Sequence, residues 1–272
     1  MAVLTVASEL GAICDGEELA LCAELGLHCV NKATISSRFK ELGIQDSILE
    51  RFDECSPGFG ELFSASAGIY WESLQTVLLK ELPQDNVAII GRGGNFLLKD
   101  LVDCFRIRLI APVDTRIRNI CTERDCSEDE ARKIIRQSDI AREKFCRYYY
   151  GESWRDPLGY DMVINTAEIP LDKLAGILPE FLSFNHSEDR KIQLELAVQE
   201  QIIRHTLFLS ADIRLCSSAI KCLEDGTVIL QGDVMSGDIV SQAEEIVRNI
   251  PGVKAVQNDL RVQIVTLFDP MW

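Results

Sequence analysis

Short apolar runs alternate with longer amphipathic stretches through residues 1–182. Ala2–Ala7, His28–Val30, Val87–Ile90, Phe105–Ile110 and Met162–Ile164 have the length and branched content of buried strands. Glu17–Leu25 carries Leu19, Ala20, Ala23 and Leu25 at helical spacing and stops at Gly26. Lys32–Glu54 is polar and helical with a break at Gly43, and Ser56–Gly60 reads as a turn. Phe63–Leu82 places Ile69, Leu74, Val77 and Leu78 on one face and ends at Pro83–Asn86. Asp114–Glu123, Ser127–Tyr150 and Leu171–Leu182 complete the helices. Strands that alternate with helices predict an α/β fold, a parallel sheet with helices on both faces. Val87–Ile90 is continuously apolar, as in a strand buried on both sides. In Phe105–Ile110 the apolar residues alternate with Arg106 and Arg108, which reads as a strand near a sheet edge.

The rhythm changes after the polar stretch Phe184–Arg190, read as a linker. Ile192–Phe208 is an amphipathic helix, and Ile220–Gly232 is two short strands around Asp225-Gly226, a strong hairpin signal. Ile239–Ile250 is a helix ended by Pro251-Gly252, and Leu260, Val262 and Ile264 alternate as a third strand. The order α-β-β-α-β predicts a second, small α+β domain. The expected domains are residues 1–183 and 188–266.

Charge changes the picture most. The chain carries −15, yet residues 106–155 hold 12 Lys/Arg against 9 Asp/Glu, a local balance of +3. An acidic protein that gathers arginines in one segment is gathering them for an anion, and the guanidinium fork suits phosphate oxygens. A sequence pI near 4.7 argues against a nucleic-acid surface. The 10 cysteines are scattered, without CxxC pairs or histidines at ligand spacing, so no metal centre is expected and a reducing cytoplasm is. Met1–Glu9 lacks the basic start of a signal peptide, and no apolar run approaches a membrane-spanning length.

Two glycine loops are the candidate chemistry. The first follows the first strand: Gly11 and Gly16 stand at the spacing of a phosphate-binding loop, with a helix directly after. Lys and Ser/Thr should come next, and Glu17-Glu18 stand there instead, so an ordinary strand-to-helix turn remains an equal reading. The second, Gly91-Arg92-Gly93-Gly94, sets a lone arginine among glycines at a strand end.

These residues, in order, resemble the cytidylate kinase-like family of nucleoside monophosphate kinases. The likeness runs from Glu17–Gly26 and Asn31-Lys32 through Gly91–Gly94 and Ala111-Pro112 with Arg116. It continues through Arg136, Asp139 and Arg142, Tyr148-Tyr149, Trp154 with Asp156-Pro157, and Tyr160–Thr166, covering residues 1–182. Asp225–Val228, Leu230, Gly232, Val234, Ala243–Ile246, Ile250–Val253, Val256, Asn258 and Leu260 are similar to a BON domain, over residues 188–266. BON domains are generally binding modules, often near membranes.

The resemblance implies a set of roles. Backbone amides from Gly11 through Asp15, Gly16 and Glu17 to Glu18 would cradle the phosphates of ATP, with Mg2+ neutralising them. Arg92, with Gly93 beside it, would hold the acceptor monophosphate. Arg136 and Arg142, with Arg147 nearby, would form a lid over the transferring phosphoryl group, and Asp139 would orient one of them. Arg116 would face the nucleotide. The bland alternative for the charged helix is a set of solvated i,i+4 pairs. The departure at Glu17 leaves two functions open, a working kinase and a catalytically weak nucleotide- or anion-sensing protein. The partners implied are a nucleotide or other phosphate-bearing small molecule, an unidentified BON ligand and a further copy of the chain in a homo-oligomer.

Overall fold

The computed structural model describes residues 2–52, 64–84, 86–99, 104–182, 188–211, 213–215 and 219–263. The expected turn at 56–60 and most of the expected linker lie outside them. The chain divides into two compact units, residues 1–191 and 192–272.

The first unit holds a parallel sheet of β1 (Val3–Ser8), β2 (His28–Val30), β3 (Val87–Ile90), β4 (Phe105–Ile110) and β5 (Met162–Asn165). Its spatial order is β2-β3-β1-β4-β5. Leu4 and Val6 of β1, Ile107 and Leu109 of β4, and Ile164 of β5 enter one core with Leu21, Leu174 and Leu178. The last three lie on α1 (Glu17–Glu24) and α8 (Leu171–Leu182). Helices α2 (Lys32–Glu41), α3 (Asp46–Phe52) and α4 (Ala65–Glu81) pack together through Phe39, Phe52 and Tyr70, all buried. The short α5 (Gly94–Leu97) follows β3. Both faces of the sheet are therefore covered, which is why its strands read as apolar runs.

Strand β4 lies between β1 and the edge strand β5, and so near the sheet edge, as its alternation of apolar residues with Arg106 and Arg108 predicts. Its arginines meet partners that the pattern of apolar residues does not reveal. Arg106 donates to both oxygens of Asp161 at 3.0 and 2.7 Å. Arg108 pairs with Glu9 at 3.0 Å and lies 4.6 Å from the ring centre of Trp154. After β4 come α6 (Val113–Arg124) and α7 (Glu128–Tyr150). Ser127 and Glu130 form a reciprocal capping box that starts α7.

The second unit contains α9 (Glu188–Ala211) from Ile192 on, β6 (Ile220–Cys222), β7 (Thr227–Val234), α10 (Gly237–Arg248) and β8 (Ala255–Val262). Strand β7 pairs antiparallel with β6 around the Asp225-Gly226 turn and parallel with β8. Leu207, Val228, Leu230, Ala243 and Val247 form its core. Strand β8 begins earlier than the alternation of Leu260, Val262 and Ile264 suggests, because Asn258 interrupts the apolar pattern. Its amide bonds the Val240 carbonyl at 2.9 Å and Glu244 at 3.2 Å. Among the described residues, no helix is long and apolar enough to cross a membrane.

Candidate functional site

A cleft of ≈ 1170 Å³ opens at the carboxyl ends of β1 and β3, where open α/β sheets bind ligands. Gly11, Asp15, Gly16 and Glu18 line it, as do Arg92, Gly93 and Arg142. Glu17, Arg116, Arg136, Asp139 and Arg147 are not among its lining residues.

The second glycine loop is a strained turn. Gly91, Arg92 and Gly93 all have positive φ, at 71°, 57° and 66°. For arginine that conformation is costly and persists only where the surroundings hold it. Tyr150 does so: its hydroxyl donates to the Arg92 carbonyl at 2.9 Å. A Cβ on Gly93 would sit 2.2 Å from the Tyr150 ring, so only glycine fits. The turn buries Arg92 to 6% exposure at the cleft wall.

Helix α7 sorts its arginines by geometry. At about 100° per residue, Arg136 and Arg147 lie on one side of the helix and Arg142 on another. Ile134, Gln137, Ser138, Ala141 and Phe145 share the cleft face with Arg142. Arg142 donates to the Ser8 carbonyl at 2.7 Å, and its guanidinium lies 5.7 Å from the Trp154 ring centre. Arg136 is exposed, and Arg147, also exposed, pairs with Glu143 at 2.5 Å. The structure thus places Arg92 and Arg142 on one cleft and leaves Arg136 and Arg147 exposed outside its lining.

Arg116 turns away from the cleft into a buried ion-pair chain. It donates to Asp139 at 2.6 and 3.1 Å, to Glu9 at 3.2 Å and to the Leu10 carbonyl at 2.8 Å. Asp139 therefore orients Arg116; of the other arginines it meets Arg155, at 3.9 Å. The first glycine loop is held from behind by these contacts. The Gly11 carbonyl accepts from Asn119 at 2.9 Å, and the Ala12 carbonyl from Thr166. Gly11 packs so closely on α6 that a Cβ there would lie 2.7 Å from the Arg116 carbonyl oxygen.

The loop's amides face carboxylates of the same chain. Glu17 accepts from the Cys14 amide at 2.6 Å. Glu123, at the end of α6, accepts from the Asp15 amide at 2.9 Å. Glu18 accepts from the Ser8 hydroxyl at 2.9 Å. A magnesium–triphosphate group does not fit this loop as it stands, because acidic oxygens hold two of the amides it would need. Glu9 and Glu123 are site residues that the motifs did not reveal. Glu9 announced itself only by charge, and Glu123 is 108 positions from its partner.

The sequence matches the Cytidylate kinase-like family over residues 3–168 and the BON domain over residues 193–264. Cytidylate kinase of Sulfolobus acidocaldarius is 40% identical over 96 residues, 35% of this chain and 52% of that kinase. The chain thus spans about half the length of that relative. A crystal structure of an uncharacterized protein from Eubacterium ventriosum has a TM-score of 0.49 at 15% identity, covering 68% of this chain and 100% of that one. Shikimate kinase from Acinetobacter baumannii in complex with shikimate has a TM-score of 0.37 at 13% identity, covering 66% and 92%. Neither likeness carries an argument about function. A match over more than half of the chain, on a parallel five-stranded sheet with the cleft in place, makes this protein a member of the cytidylate kinase-like family, joined to a C-terminal BON domain.

Proposed function

We propose that the first unit binds a nucleoside monophosphate, or a like phosphomonoester, and that it transfers phosphate from ATP poorly or not at all. The observation that carries this reading is that the cleft offers arginines while its loop amides are already taken. Arg92 and Arg142 line the cleft, with Lys32 and Arg124, whereas carboxylates hold the amides of the Cys14–Asp15 loop. Arg92 supplies a planar, permanently charged fork for phosphate oxygens, on a turn too strained to be kept for its own sake. In an active kinase of this type, a lysine at position 17 would supply charge to the donor phosphates and a hydroxyl at 18 would hold Mg2+. Glu17 and Glu18 supply the opposite charge. They also offset the partial positive charge at the start of α1. The BON unit is read as an input or output module with its own ligand, and the scattered cysteines support a reducing compartment.

Titration of the whole protein with CMP, and with ATP in the presence and absence of Mg2+, tests this. CMP is expected to bind, and Arg92→Ala to weaken it by roughly ten- to a hundredfold, the range of one charged hydrogen-bonding group. ATP is expected to bind weakly and turnover to stay near background. Robust CMP phosphorylation by the unaltered protein would overturn the proposal and return the donor role to the arginines.

A further inference from the structure

We infer that Glu123 is a specificity-determining residue: its carboxylate occupies the glycine loop and bars polyphosphates from a cleft that admits phosphomonoesters. The inference deepens the reading of the cleft given above and rests on it. Cys14 and Asp15 are consecutive, and each amide donates to a carboxylate oxygen, at 2.6 Å to Glu17 and 2.9 Å to Glu123. Such loops hold phosphate oxygens through the same kind of contact. The Glu17 contact is local, three residues along the chain, from the first residue of α1 back to the loop before it. The Glu123 contact spans 108 residues and exists only because α6 carries its last turn to the loop.

The loop does not need an anion to keep its shape. Its carbonyls at Leu10, Gly11 and Ala12 are held by Arg116, Asn119 and Thr166. Glu123 is therefore a group placed on a loop already formed. A polyphosphate would have to displace two carboxylates that stay close by, with Asp15, Glu18 and Glu9 also lining the cleft. Arg124 lines it too, as the cation nearest in sequence. Like charges held this close repel in water and more strongly where water is scarce. A monophosphate held by Arg92 makes no demand on the Cys14 and Asp15 amides.

The test uses the whole protein and its Glu123→Ala and Glu123→Gln variants, each titrated with inorganic tripolyphosphate and separately with CMP. Glu123→Ala frees the amide and is expected to raise tripolyphosphate affinity at least about tenfold. Glu123→Gln removes the charge but keeps an acceptor, so a smaller gain is expected. The gain for CMP should be at least about threefold less than for tripolyphosphate. Equal gains for both ligands would overturn the inference, since general removal of charge would then explain them. So would wild type binding tripolyphosphate as tightly as the variants, or folded variants that still do not bind it. If thermal melting shows Glu123→Ala unfolded, the Glu123→Gln titration decides alone. CMP failing to bind every form would sink the phosphomonoester reading of the cleft and leave the tripolyphosphate comparison to judge Glu123.

Discussion

Arg92 and Arg116 are both buried, at 6% and 5% exposure, yet their surroundings differ. Arg116 directs its donors to Glu9, Asp139 and the Leu10 carbonyl, and so fixes the loop rather than a ligand. Arg92 sits on a left-handed turn at the cleft wall. Cys14 reports on the loop between them. It is exposed, but desolvation and the carboxylates of Glu17, Glu123 and Asp15 push its thiol pKa above the ordinary value. These carboxylates disfavour the thiolate, the reactive form, so alkylation near neutral pH should be slow for an exposed cysteine. Glu123→Gln should lower the thiol pKa and shift the alkylation profile of Cys14 to lower pH, read by peptide mass spectrometry. An unchanged profile would mean that Glu123 does not act on the loop in solution.

At the scale of elements, α7 decides which arginines meet the cleft. Its single 23-residue course, capped by Ser127 and Glu130, fixes every side chain's direction at once. The helix also delivers Tyr150 to the β3–α5 turn. Trp71, Phe96 and Phe145 surround the Tyr150 ring, with centroids at 5.1, 5.6 and 6.2 Å. Tyr150→Phe keeps that packing and loses only the hydroxyl bond to the Arg92 carbonyl. One such bond contributes about 0.5–1.5 kcal/mol, so CMP affinity should fall by roughly two- to tenfold. In an Arg92→Ala background the same change should have no further effect. An equal loss in both backgrounds would show that Tyr150 does not act through Arg92.

At the scale of the molecule, each unit has its own core and its own sheet. Strand β7 lies in the second sheet, paired to β6 and β8 alone. Leu230 is fully buried there, among Leu207, Val228 and Val247. Leu230→Ala should destabilise that unit by about 2–5 kcal/mol. In calorimetry it should lower one of two unfolding transitions, with CMP affinity unchanged. A fall in both transitions would mean that the units unfold as one.

Much of this was determined by sequence alone. Apolar runs of strand length separated by helical periods led to the parallel sheet, because burial on both faces leaves that mark locally. The Asp225-Gly226 turn led to the β6–β7 hairpin for the same reason, since a tight turn is encoded in adjacent residues. The ordered motifs pointed to the family, and Glu17-Glu18 marked a departure from the phosphate-binding pattern. Tertiary structure decided what depends on distant partners. The partners of the β4 arginines, Asp161 for Arg106 and Glu9 and Trp154 for Arg108, come from elsewhere in the chain. Arg116 went to the loop's back and Arg142 to the cleft because α6 and α7 approach β1 as they do. Glu123 became part of the site across 108 residues, a contact that no local pattern records. Charge type is written in a sequence, but whether a charge meets a ligand, a solvent shell or another side chain is settled by packing.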